Sequence, residues 1–208
     1  MKFTKLVLAV AVMVAGMGIM PVQAEIVYTP VNISIPPGSG YNIDFEHDGT
    51  ADFTLRSTFL QDYCQTGDGY VWVLNVLSGD GNAVVAGAGH AGAIDASALK
   101  TGVVVDANQN LEQAASLMAE LYWGVCGTGA AGEWLNLPDR YLGLRFRGAD
   151  GTDHYGWAKV TTTAYVDRHG VLHATTVLSG YAYETIPGQA IVTGQTSDSP
   201  SELTTRIH

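Results

Sequence analysis

The chain is predicted to be mainly β, an antiparallel β-sandwich of jelly-roll-like build with one short helix in an Ala/Gly-rich insertion. Three observations lead there. From Tyr141 to Gln195 apolar residues alternate with polar or small ones in segments bounded by turn chemistry, the pattern of half-buried strands joined by short loops. Ten Tyr, four Trp and 25 Gly beside only 14% charged residues fit a turn-rich β protein. Only Asn110 to Gly124 has helical spacing: Asn110 can cap, Gln113 stands at the capping-box position, Leu111, Ala114, Ala115, Met118, Leu121 and Tyr122 recur along one face, and Gly124 stops it.

Met1 to Ala24 reads as a signal peptide. Lys2 and Lys5 precede the apolar run Leu6 to Met20, and the small residues Val22 and Ala24 fit a cleavage site before Glu25. The alternative is an uncleaved anchor, for which the run is short and early. The later Ala/Gly-rich segment from Ala83 to Ala98 is broken by His90 and Asp95, so no membrane association is expected after cleavage. The expected location is therefore secreted or periplasmic. Cleavage would remove two lysines and no acid, taking the formal charge from −10 to −12 over residues 25–208. Such a surface repels phosphate backbones, which argues against a nucleic-acid partner, and attracts cations or basic groups. The length of residues 25–195 suits one sandwich domain, with 196–208 expected as a disordered tail.

The segment Ile26 to Ile35, closed by Pro36-Pro37-Gly38, reads as an edge strand. YNIDFEHDGTADFTLRS follows. Asp44, Glu46 and Asp48 stand at alternate positions, Gly49 permits a sharp bend, Thr50 offers a backbone carbonyl, and Asp52 adds a carboxylate. This follows the D-x-[DN]-x-[DN]-G grammar of calcium loops, so a structural Ca2+ is expected on Asp44, Glu46, Asp48, Thr50 and Asp52. The twelfth position from Asp44 is Leu55, so the bidentate Glu of an EF-hand is missing, and the flanks read as strands. The competing reading is an acidic hairpin turn, since Asp48-Gly49 bends a chain without any metal.

Cys64 and Cys126 are the two cysteines, and in an oxidising compartment one disulfide between them is expected. It would contribute about 4 kcal/mol in the chain-entropy description. Two free buried thiols, or a nucleophile, are the alternatives. Tyr70 to Leu77 is a nearly continuous apolar strand. Gly87 to Gly92 satisfies G-x-G-x-x-G, yet no βαβ unit surrounds it, and a surface loop is the better reading.

Within Tyr141 to Gln195, strands are expected at Tyr141 to Arg147, His154 to Val166, Val171 to Glu184 and Gln189 to Gly194. Tyr155, Trp157, Tyr165, Tyr181 and Tyr183 would form a glycan-stacking platform if they share an exposed face, with Tyr155, Trp157, Tyr181 and Tyr183 as the candidate binders; otherwise they are cross-strand packing. His154, His169 and His173 would make a metal cluster with Asp153 or Asp167 if they converge; otherwise they are solvated or structural.

The blocks YLGLRF, HYGWAKV and GYAYETIPGQAIVTGQ resemble the C-terminal half of uncharacterised exported bacterial proteins, many ending in a PEP-CTERM sorting tail and often carrying a DxDxDG-type loop near the N-terminus. The resemblance covers Asp44 to Asp52 and Tyr141 to Gln195 and implies no activity. Here TSDSPSELTTRIH follows Gln195 instead of a sorting motif, so release is expected rather than surface retention. No G-x-S-x-G, H-E-x-x-H, C-x-x-C or P-loop occurs. The expectation is a secreted, calcium-stabilised protein with a structural or binding role, its partner an extracellular polysaccharide or another surface protein. The alternatives are a carbohydrate-binding module and an extracellular hydrolase with an unrecognised site.

Overall fold

A computed structural model describes residues 25–61, 68–90, 92–114, 116–125 and 127–197. The chain is all-β with antiparallel sheets, and no helix occurs among the described residues. In order the strands are β1 (Ile26–Ser34), β2 (Ser39–Ile43), β3 (Phe53–Gln61), β4 (Gly69–Ser78), β5 (Ala83–Val85), β6 (Val104–Val105), β7 (Leu111–Glu112), β8 (Leu117–Gly124), β9 (Gly129–Ala131), β10 (Leu137–Arg147), β11 (Asp153–Val166), β12 (Leu172–Glu184) and β13 (Ile191–Val192).

One sheet has the order β1-β12-β11-β10-β5-β7 and the second β2-β3-β4-β8-β9. Their facing sides share one core, with Trp72, Leu74 and Leu55 from the second sheet meeting Leu142, Phe146 and Val160 from the first, a sandwich-like arrangement. The connectivity departs from a jelly roll. Consecutive strands β2-β3-β4 and β10-β11-β12 remain neighbours in one sheet as meanders instead of alternating between sheets.

The strand predictions hold for β1, β4 and the β10-β11-β12 meander, with β1 on the edge beside β12 as expected. The expected helix over Asn110 to Gly124 is corrected. Leu111–Glu112 pairs with β5, and Leu117–Gly124 pairs along β4. The physical reason is a bulge. Leu74 faces Ala119 and Asn75 faces Leu117, so Met118 is the extra residue, and both Met118 and Ala119 are buried in the shared core. One inserted residue broke the alternation that marks a strand and left spacings that mimic a helix. Tyr70 to Leu77, apolar on both faces, is the central strand that β3 and β8 flank.

A third, two-stranded sheet pairs β13 with β6 and lies over the outer face of the first sheet. Ile191 and Val105 there close a second core on Tyr141, Tyr155, Trp157 and Ala182. Trp157 Nε1 donates to the Gln195 carbonyl at 3.1 Å, fastening the end of the expected domain to β11.

Candidate functional site

The Asp44–Asp52 segment is the connection between β2 and β3, whose pairing ends at Ile43 and Phe53. Alternation sends Phe45 inward while Asp44 and Glu46 flank it. Phe45 is buried and stacks on Phe146 with centroids 4.7 Å apart, with Tyr181 edge-on at 5.6 Å. That plug fixes the acids in space. His47 and Gly49, with φ of 56° and 90°, supply the left-handed turns.

Each predicted ligand has a definite place. The Asp44 carboxylate accepts the amides of Asp48 at 3.2 Å and Gly49 at 2.9 Å, and Asp48 Oδ1 accepts that of Thr50 at 2.7 Å. Asp52 Oδ2 accepts the Phe45 amide at 2.8 Å. Glu46 reaches the turn between β10 and β11, where Oε2 accepts the Ala149 amide at 2.8 Å. Asn82 completes the bracing, donating to the Asp52 carbonyl at 3.0 Å and accepting the Arg147 amide at 2.9 Å. Burial first, then repulsion from Asp44, Asp48 and Glu46, outweighs the Phe45 amide and pushes half-buried Asp52 from its ordinary 3.8 up to about 6. Among the described residues no three His, Cys, Asp or Glu side chains gather closely enough to hold a metal ion as the loop stands.

The aromatics expected to form a platform are placed otherwise. Tyr155 and Trp157 face outward from β11 but lie under the β6–β13 ribbon, at 5% and 2% exposure, and Tyr181 faces the shared core at 4%. Tyr183 is half-buried, tilted against Phe45 and edge-on to Phe146. Burial on both faces of the first half of β11 leaves these four rings to packing, because a stacking platform needs a wet face, while Tyr165, 53% exposed, lies alone of the five at the other end of the strand. The expectation missed the ribbon, since two-residue strands leave almost no periodic signal.

The three histidines do not converge. His154 is buried at the start of β11, with Nδ1 3.0 Å from the Glu184 carbonyl and Nε2 3.1 Å from Thr152 Oγ1. His169 and His173 lie at its far end, where His173 Nε2 is 3.2 Å from Asp167 and its ring stacks on Tyr165. Cys64 and Cys126 lie outside the described residues. Their flanks meet: Gly69 pairs with Gly124, and the Val125 amide donates to the Asp68 carbonyl at 3.4 Å.

The start of the Gly87 to Gly92 motif rests on a carboxylate of its own chain. Glu133 accepts the amides of Ala88 at 3.0 Å and Ala98 at 3.1 Å, and a side chain at Gly87 would collide with it.

A second feature was not foreseen. Phe59, Tyr70 and Trp123 form a row of rings at the other end of β3 from the acidic loop, beside a groove of about 880 Å3. The helical spacing of Asn110 to Gly124 conceals that Trp123 lies on a strand beside Tyr70. No family model, curated protein or solved structure matches the chain.

Proposed function

We propose that the protein is an exported, calcium-stabilised β-sandwich with a structural or binding role at the cell exterior. The supporting observation is Asp52. A half-buried carboxylate held near three other acids and pushed up to about 6 is a group whose ionisation a divalent cation would favour. A carboxylate offers about four acceptor positions, so the amide bonds to Asp44, Asp48 and Asp52 leave capacity for a cation while orienting the side chains. Glu46 would join by exchanging the Ala149 amide for the metal. Export is supported by the basic-then-apolar pattern of Met1 to Ala24 and by the PEP-CTERM-type blocks. In that compartment the meeting of Asp68 with Val125 favours a Cys64–Cys126 disulfide.

Titration calorimetry of the chain from Glu25 tests the calcium site. One Ca2+ per chain is expected, with uptake abolished by an Asp44→Asn/Asp48→Asn double variant. No uptake by the unaltered chain, or equal uptake by the variant, would refute it.

A further inference from the structure

The groove at the far end of β3 grows directly out of the sheet register. Phe53, Leu55, Ser57 and Phe59 point to one side of β3, and Tyr70, Trp72, Leu74 and Val76 to the same side of β4. Leu121 and Trp123 continue that face on β8, where Trp72 pairs with Leu121 and Tyr70 with Trp123. Ser57, Trp72 and Leu121 are buried, whereas Phe59, the β3 partner of Trp72, is 41% exposed and Tyr70, one step further along β4, is half-buried beside buried Trp123. The core therefore runs out into an open mouth. Phe59 and Tyr70 stack with centroids 5.9 Å apart at 15°, and Tyr70 and Trp123 at 5.6 Å and 23°. Across the mouth stands the turn from β11 to β12, held by Trp123 Nε1 donating to the Gly170 carbonyl at 3.2 Å. Val171 of that turn is 52% exposed, and Pro37-Gly38 forms the third wall.

We propose that this groove binds a neutral polysaccharide, its pyranose rings lying against exposed Phe59 and half-buried Tyr70, with Trp123, only 8% exposed, stacked behind Tyr70 as support. The polar groups at the rim select such an occupant over a purely apolar one. Asp68 brings a carboxylate to the lip, and His169 accepts Arg168 Nε at Nε2 over 3.0 Å, which leaves its ring proton on Nδ1 as a donor. Gly38, Gly124 and Gly170 line the groove without side chains, which leaves room for a chain to pass, while their main-chain groups are largely engaged within the protein. A pyranose has an apolar face and a hydroxylated edge, matching rings on one side and acceptor plus donor on the other. The formal charge of −10 and the rim carboxylate disfavour uronate or sulfated chains, which fixes the class as neutral. The groove and the acidic loop occupy opposite ends of β3, so this binding is independent of calcium.

Affinity electrophoresis of the chain from Glu25 through gels containing a soluble β-glucan, a galactomannan, a xylan, alginate or polygalacturonate tests the inference, each run with calcium and with EDTA. The expected result is retardation by at least one neutral polysaccharide in both conditions and none by the acidic ones. Phe59→Ala should weaken it about tenfold, and Asp68→Asn, at the exposed rim, should weaken it with the melting temperature unchanged. A shift of tryptophan emission on binding should accompany retardation. Retardation that survives both variants, preference for the acidic polymers, silence across all five, or a groove closed by a second copy, seen as a dimer that Val171→Asp dissociates, would each overturn it. Failure here leaves calcium uptake untouched, and failure of calcium uptake leaves this binding untouched.

Discussion

The Asp52 carboxylate accepts the amide of Phe45 at 2.8 Å, which couples the most perturbed acid of the loop to the aromatic plug of the core. Asp52 holds its proton more tightly in the folded chain, with a pKa of about 6, than its ordinary 3.8. Between those values the native state binds more protons than the unfolded one, so this group lowers stability as pH rises and its penalty is complete above about 6. Solvent screening of a half-exposed group discounts the cost to about 1 kcal/mol. In EDTA, Asp52→Asn should raise stability at pH 8 by about that amount and flatten the slope between pH 4 and 6, as urea melts would read. With calcium present the same substitution should be destabilising. A variant with the same sign in both conditions would separate Asp52 from the cation.

Thr162 and Thr176 face each other on β11 and β12, both buried and both with hydroxyls lacking a partner among the described residues. A buried hydroxyl without a hydrogen bond carries its desolvation cost uncompensated. Thr162→Val and Thr176→Val keep the shape and should each stabilise by about 1 kcal/mol, raising the melting temperature by about 2–4 °C. A loss of stability in both would mean that the hydroxyls have partners in solution.

Gly87→Ala should cost about 1–3 kcal/mol, because the added methyl would push the Glu133 carboxylate off the Ala88 and Ala98 amides it holds. The cost should largely vanish in a Glu133→Ala background, since the obstacle is then gone. Additive losses in a double-mutant cycle would assign the glycine another role.

How far these features could be read from sequence depends on how much local signal each one carries. The meander was legible because Tyr155, Trp157 and their neighbours sit in strands of 11–14 residues with DG and HG turns between them. Which of their faces stays wet was not legible, because Ile191 and Val105 cover it from positions far apart in the chain. The acidic loop was legible by spacing, yet Glu46 bonding to Ala149, 103 residues away, is a tertiary fact. The ring row depended on Met118. A single bulge moved Trp123 from an apparent helix onto the strand beside Tyr70.

Differential scanning calorimetry of the chain from Glu25 at pH 7.5, in millimolar calcium against EDTA, tests most directly whether a cation completes the Asp44–Asp52 loop. Calcium at about 100 times its dissociation constant adds about 2.7 kcal/mol, so the midpoint should rise by about 5 °C or more, and the rise should disappear in Asp44→Asn/Asp48→Asn. Identical midpoints in calcium and EDTA, with no calcium retained by the purified protein, would contradict a calcium-stabilised scaffold and leave the segment as an acidic turn.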